Sequence, residues 1–222
     1  ILYICIVIGV LVFGAMFWSI LKHRKSRGVT PATFHESTKL EFLWTIVPFA
    51  ILIGMAVPAT KTLIKMYDTS DAEIHIKITG YQWLWQYEYL NTDVSFYSKL
   101  STPYKEIYNQ KEKNINYLQE VDRKLVLPVN KKIRFLLTSN DVLHAWWVPD
   151  LALKKDAIPG FINEMAVVIK EPGVYRGRCA ELCGRHHGFM PIVIEAVEQD
   201  QYDQWLANGG KVELTDLAST EK

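Results

Sequence analysis

The stretch "AEIHIKITG" (residues 72–80) is where the chain changes character. Ile74, Ile76 and Ile78 alternate with Glu73, His75 and Lys77, the two-residue period of a half-buried strand. Further short runs of the same kind follow: "QWLWQYEY", "RKLVLPV", "KKIRFLLTS", "NEMAVVIK", "GVYRGRC" and "MPIVIEAVE", punctuated by Pro, Gly, Asn and Asp. Several short strands at this spacing predict an all-β sandwich or Greek-key barrel. About 140 residues suffice to bury one such core. A polar, Lys- and Asn-rich stretch over 97–120 reads as a long hairpin excursion, and the residues after about 200 as a short helix and a tail.

Upstream, the pattern is apolar instead of alternating. "ILYICIVIGVLVFGAMFWSIL" (1–21) carries no charge, and "FLWTIVPFAILIGMAVPAT" (42–60) is a second charge-free run between Glu41 and Lys61. Roughly 20 apolar helical residues cross a hydrocarbon layer about 30 Å thick. Residues 1–65 are therefore expected to form a transmembrane hairpin, with spans near 1–21 and 42–64 and a loop at 22–41. Pro48 and Pro58 are compatible with this, because neighbouring groups in a membrane can satisfy the freed carbonyls. The first run is too long and uniform for a cleaved signal peptide. The chain opens inside it without an initiator Met, and further residues are expected to precede Ile1. Lys22, Arg24, Lys25, Arg27 and Lys39 hold the loop on the cytoplasmic side. Residues 66–222 then form an exported domain, in the periplasm of a bacterium or, as the alternative, in the mitochondrial intermembrane space. With 25 Lys+Arg against 24 Asp+Glu, no basic excess exists for general nucleic-acid binding.

The exported domain carries "CAELCGRHHGFM" (179–190), with two cysteines, two histidines and a methionine. A disulfide is the default for nearby cysteines in an oxidising compartment, and zinc would accept thiolates and imidazoles. Met190 favours copper, since a thioether is a soft ligand. A blue-copper site needs only one cysteine, whereas two bridging thiolates can hold two ions, each needing an imidazole. Of the six histidines, His23 and His35 lie across the membrane and His75 is on the exposed face of a strand, which leaves His144 as the second candidate. Cys5, alone in a membrane span, reads as a packing group.

"CAELCGRHHGFMPIVIE", "SNDVLHAWWVPDLALKKDAIPG", "GYQWLWQYEY" and "LEFLWTIVPFAILI" together resemble the subunit II family of haem–copper cytochrome c oxidases, in order and over nearly the whole chain. The resemblance implies a two-helix hairpin followed by a cupredoxin-like Greek-key domain. It further implies a mixed-valence pair of copper ions bridged by Cys179 and Cys183. His144 and Met190 would complete one ion, and His187 with the Glu181 carbonyl the other. The Glu181 side chain would reach a magnesium ion at the contact with the catalytic subunit. Trp83 matches the residue where electrons enter. Asp93, Asp141 and Asp156, with Glu88, match acidic positions that dock cytochrome c, and Glu41 matches the mouth of a proton pathway. Implied partners are the haem-bearing subunit I, subunit III and accessory subunits, in a bacterial inner membrane. His186 departs from the family's usual polar residue. Three rivals remain at this point. A quinol oxidase homologue would lack the copper ligands, and the copper domain of nitrous oxide reductase would lack the hairpin. An exported copper chaperone or disulfide domain is the third. No Cys-x-x-Cys-His occurs, so an electron donor must be a separate cytochrome, and oxygen chemistry belongs to another subunit.

Overall fold

The computed structural model describes residues 1–30, 33 and 35–211. The tail expected beyond the last helix falls largely on residues 212–222, outside the described residues. Two compact units divide the chain at Val57 and Pro58.

The first unit contains helix α1 (Leu2–Lys22) and most of helix α2 (Thr38–Tyr67). Their most apolar windows have mean hydropathies of 2.6 and 2.1, and no residue of either helix is buried. Apolar side chains exposed all round a helix belong in lipid, where the helix satisfies its own backbone groups. Thr45 and Thr62 donate to carbonyls four residues back, Glu41 and Pro58, so their hydroxyls are satisfied inside α2.

The second unit is a sandwich of two five-stranded sheets. Its strands are β1 (Ile74–Tyr81), β2 (Leu84–Tyr89), β3 (Ser95–Ser98), β4 (Leu125–Pro128) and β5 (Lys132–Ser139). They continue with β6 (His144–Val148), β7 (Leu153–Ala157), β8 (Asn163–Val168), β9 (Gly173–Cys179) and β10 (Pro191–Val197). One sheet runs β3-β2-β1-β5-β8 and the other β4-β10-β9-β6-β7. β1 pairs with β5 and β10 with β4 in parallel, while the remaining named pairs are antiparallel. Crossovers between sheets of this kind give the cupredoxin-like architecture expected from the sequence.

Alternation decides which face is core. Ile76 and Ile78 of β1, Trp85, Tyr87 and Tyr89 of β2, and Ile133, Phe135 and Leu137 of β5 all point inward and are buried. Leu125, Leu127, Trp146, Ile192 and Ile194 meet them from the other sheet. Three strands depart from the expected pattern. β3 is short, β6 is apolar at four of five positions without alternating, and β7 is a charged edge strand. The excursion after β3 is closed at its base by a Leu100–Val121 bridge and holds a one-turn helix, Tyr104–Ile107. The last helix, α3 (Gln199–Ala207), buries Tyr202 and Trp205 against Tyr89, at the end of β2 away from Trp83.

Candidate metal centre

Three elements meet at one end of the sandwich. β6 starts at His144 and β9 ends at Cys179, and antiparallel pairing sets Trp146 opposite Cys179. The Ala180 N–H then donates to the Ala145 carbonyl at 2.9 Å, which locks the start of the cysteine loop to β6. The loop returns through Met190 into β10, and Trp85 donates its indole N–H to the Met190 carbonyl at 3.3 Å. His144 is therefore the first residue of a strand and not a loop histidine.

The two cysteine sulfurs lie 3.8 Å apart and are not bonded to each other. His144 Nδ1 is 3.9 Å from Cys179 Sγ, and His187 Nδ1 is 3.4 Å from Cys183 Sγ. Met190 Sδ is 3.5 Å from Cys183 Sγ, and the Glu181 carbonyl oxygen is 3.3 Å from Cys179 Sγ. His144, Cys179, Cys183 and Met190 are all buried. The donor set fits a soft transition metal. An ion about 2.3 Å from each thiolate would subtend a near-tetrahedral angle at sulfurs 3.8 Å apart. The line between the sulfurs has two sides, and each cysteine has a nitrogen at hand.

His144 has its two nitrogens divided between tasks. Nε2 donates to Asp141 Oδ1 at 2.9 Å, which leaves Nδ1 as the lone pair facing Cys179. A carboxylate behind a metal-facing imidazole fixes its tautomer and ring orientation. The Asp141 carboxylate also accepts the Gln82 and Val142 backbone N–H groups, at 2.7 and 2.6 Å. Burial opposes ionisation of Asp141, but these bonds outweigh it and lower its pKa. Burial likewise opposes protonation of His144, and its bonds to Cys179 and Asp141 outweigh that and raise its pKa. In the metal-free loop, burial and the neighbouring Cys179 charge push the Cys183 thiol up to about 12. Cys179 is shifted the other way: burial disfavours its thiolate, but the Nδ1–H that His144 presents when protonated, together with backbone N–H groups, outweighs that and lowers its pKa.

Trp83 lies in the two-residue turn, Gln82–Trp83, that joins β1 to β2, and not within a strand; the peptide between the two residues is cis. Its core-facing counterpart is Trp85. The half-buried Trp83 indole donates to the Cys183 carbonyl at 3.1 Å, and the Gln82 side-chain amide donates to the same oxygen at 2.9 Å. Gly184 makes room for both. Its φ is +112°, and a Cβ there would lie 3.0 Å from Gln82 Nε2 and 3.2 Å from Trp83 Cζ2. Gln82 carries no sequence signal. Asp141 does carry one in hindsight: an acid three residues before a candidate histidine, Asp-x-x-His.

The other acids are dispersed. Asp156 is exposed on β7, where it pairs with Ala145 beside His144. Asp93 is exposed in the β2–β3 turn, and Glu88 is near the same end of β2, paired with Lys77 at 2.8 Å. That end is about 17 Å down the strand from Trp83. The Glu181 side chain is exposed, as is Glu41 in the first turn of α2. His75 is half-buried in β1, away from the cluster.

A membrane-anchored, cupredoxin-like electron-transfer protein is the class that this fold and this sulfur- and imidazole-rich site define. Comparison with known proteins makes it specific. Residues 74–197 match the family described as cytochrome C oxidase subunit II, periplasmic domain, and residues 1–62 match the transmembrane domain of the same subunit. A probable cytochrome c oxidase subunit 2 of Rickettsia bellii is 38% identical over 212 residues, covering 95% of this chain and 77% of the relative. The subunit 2 of Metridium senile is 40% identical over 206 residues, covering 90% and 79%. The solved periplasmic domain of subunit II of the cytochrome oxidase of Bradyrhizobium japonicum superposes with a TM-score of 0.57 at 37% identity, over 65% of this chain and 98% of that one. The chain belongs to the cytochrome c oxidase subunit II family. It is an electron-transfer subunit with a copper-binding domain, anchored in a membrane as part of a haem–copper oxidase complex.

Proposed function

We propose that the domain holds two copper ions and accepts single electrons from ferrocytochrome c for delivery to haem in subunit I. The observation that carries this is the pair of unbonded, buried thiols 3.8 Å apart, with an imidazole nitrogen beside each. Cys179 and Cys183 would hold both ions between them, with His144 and Met190 available to one and His187 and the Glu181 carbonyl to the other. When bound, such a pair takes up and gives back one electron shared between two metals.

The protein supplies the rest. β6 and β9 fix the His144 and Cys179 backbones, so the ligands need not move when charge changes. Asp141 keeps the Nδ1 lone pair of His144 directed at the site. Burial of both cysteines, His144 and Met190 keeps water from the thiolates. Trp83 links the surface to the Cys183 carbonyl and is where the electron enters. Asp93 and Asp156 supply exposed negative charge that steers a basic cytochrome, which raises the association rate more than the affinity. Asp141 and Glu88 contribute less, since each already faces an imidazole or an ammonium group. A contact patch of about 800 Å2 per partner is roughly 30 Å across, wide enough to take in both ends of β2. The exposed Glu181 carboxylate offers a hard oxygen ligand for magnesium at the contact with subunit I, with the remaining ligands coming from outside this chain. Glu41 stands at the mouth of a proton pathway on the cytoplasmic side. Subunit III and accessory subunits complete the assembly in a bacterial inner membrane, with the copper domain in the periplasm.

Metal analysis with electron paramagnetic resonance of the purified oxidase tests this. We expect two coppers assigned to this subunit and an unpaired electron spread over both. One zinc, or a single localised copper, would overturn it. Replacing Trp83 with Phe should slow electron uptake while leaving the copper signal intact, and an unchanged rate would make Trp83 a packing residue only.

A further inference from the structure

His186 precedes the metal-facing His187, yet its ring packs against Trp83 and Phe189. It meets Trp83 with ring centroids 4.7 Å apart and planes at 83°, an edge-on contact. Phe189 backs it, with centroids 5.2 Å apart and planes at 48°. Such contacts are favoured because the positive edge of one ring meets the negative face of another. Trp83 needs this second hold. It is at the tip of a two-residue turn and only half-buried, held by one N–H···O bond to Cys183 and by packing against the core. The His186 ring adds a contact that restricts rotation of the indole about that bond. The Gln82 amide, bonded to the same carbonyl, fixes the acceptor.

We propose that His186 is a positioning residue for electron uptake: its ring, braced by Phe189, holds the Trp83 indole in the orientation that keeps it bonded to the Cys183 carbonyl. This rests on the reading of Trp83 as the point where electrons enter. In this role His186 binds no metal and exchanges neither electron nor proton.

The test compares His186→Ala, His186→Phe and Trp83→Phe in the assembled oxidase, using laser-triggered reduction of bound cytochrome c. A second readout is the fluorine resonance of Trp83 in the full chain labelled with fluorotryptophan, identified as the signal that Trp83→Phe deletes. His186→Ala should slow uptake about two- to tenfold, the population change that an aromatic edge contact supports. It should also shift or broaden the Trp83 signal, and His186→Phe should restore both. Copper content and hyperfine pattern should match the parent in all three. Should His186→Ala fail to assemble, His186→Asn removes the ring equally. A parental rate and an unmoved fluorine signal in His186→Ala overturn the proposal, while a slow Trp83→Phe would leave the reading of Trp83 standing. If Trp83→Phe is itself as fast as the parent, that reading fails, and the fluorine signal alone decides whether His186 holds the indole. A changed hyperfine pattern in His186→Ala would make it a ligand and overturn the proposal.

Discussion

Gly80 is a glycine because His144 occupies the space its side chain would need. A Cβ at residue 80 would lie 2.7 Å from His144 Cδ2 and 3.2 Å from Trp85 Cζ3. The imidazole cannot swing away, since it is fully buried and its Nε2 is held by Asp141. Gly80→Ala should therefore displace the ring and weaken copper binding about 10- to 100-fold, the usual cost of disturbing the groups behind a metal ligand. Copper titration checks this, and an unchanged affinity would show that the ring can relax. The adjacent histidines differ in the same local way. His187 Nδ1 faces Cys183 at 3.4 Å, while His186 faces Trp83. His187→Asn should localise the unpaired electron or lose a copper, and His186→Asn should keep both ions. The reverse outcome would move the ligand by one residue.

β6 and β9 approach closely enough to bring His144 beside Cys179 only because residue 177 has no side chain. A Cβ there would overlap the Trp147 carbonyl oxygen, a backbone atom held by the pairing of Trp147 with Arg178. Gly177→Ala must push the strands apart, at a cost of about 1–3 kcal/mol. A lower Tm and lower copper retention are expected together, because the same strand pair carries both. Gly188 lies in the metal loop with nothing within 4 Å of an added Cβ. Gly188→Ala should stay within about 0.5 kcal/mol of the parent. Equal Tm values for the two variants would mean that β9 can shift without loss.

For the whole molecule, the metal site makes assembly pH-dependent. Thiols must lose their protons to bind copper, and the free Cys183 thiol is pushed up to about 12. It is protonated throughout the neutral range, so loading displaces that proton. Affinity of the metal-free chain should rise at least about tenfold per unit between about pH 6 and pH 8. A flat profile would place both thiols in the ionised state beforehand. Docking should depend on salt instead. Exposed charges are screened over about 8 Å at physiological ionic strength, so Asp156→Asn should flatten the salt dependence of turnover with cytochrome c. An unchanged slope would remove Asp156 from the contact surface.

What could be read directly followed from local periodicity. The alternation in β1 and β5 and the charge-free runs of α1 and α2 need only nearest neighbours to interpret. So does the grouping of Cys179, Cys183, His187 and Met190, which one loop carries together. β6 escaped because it is apolar nearly throughout, and β7 because an edge strand can be charged where it faces water. The turn position of Trp83, the bonds from Gln82 to Asp141 and to the Cys183 carbonyl, and the contact of His186 with Trp83 join residues whose sequence gives no sign of each other. His144 is 35 residues from Cys179. Sequence determined that an imidazole was needed and which candidates existed; only the pairing of β6 with β9 brought this one to the sulfurs. Strand register is a property of the sheet, set by packing over the whole core, and no single segment contains it.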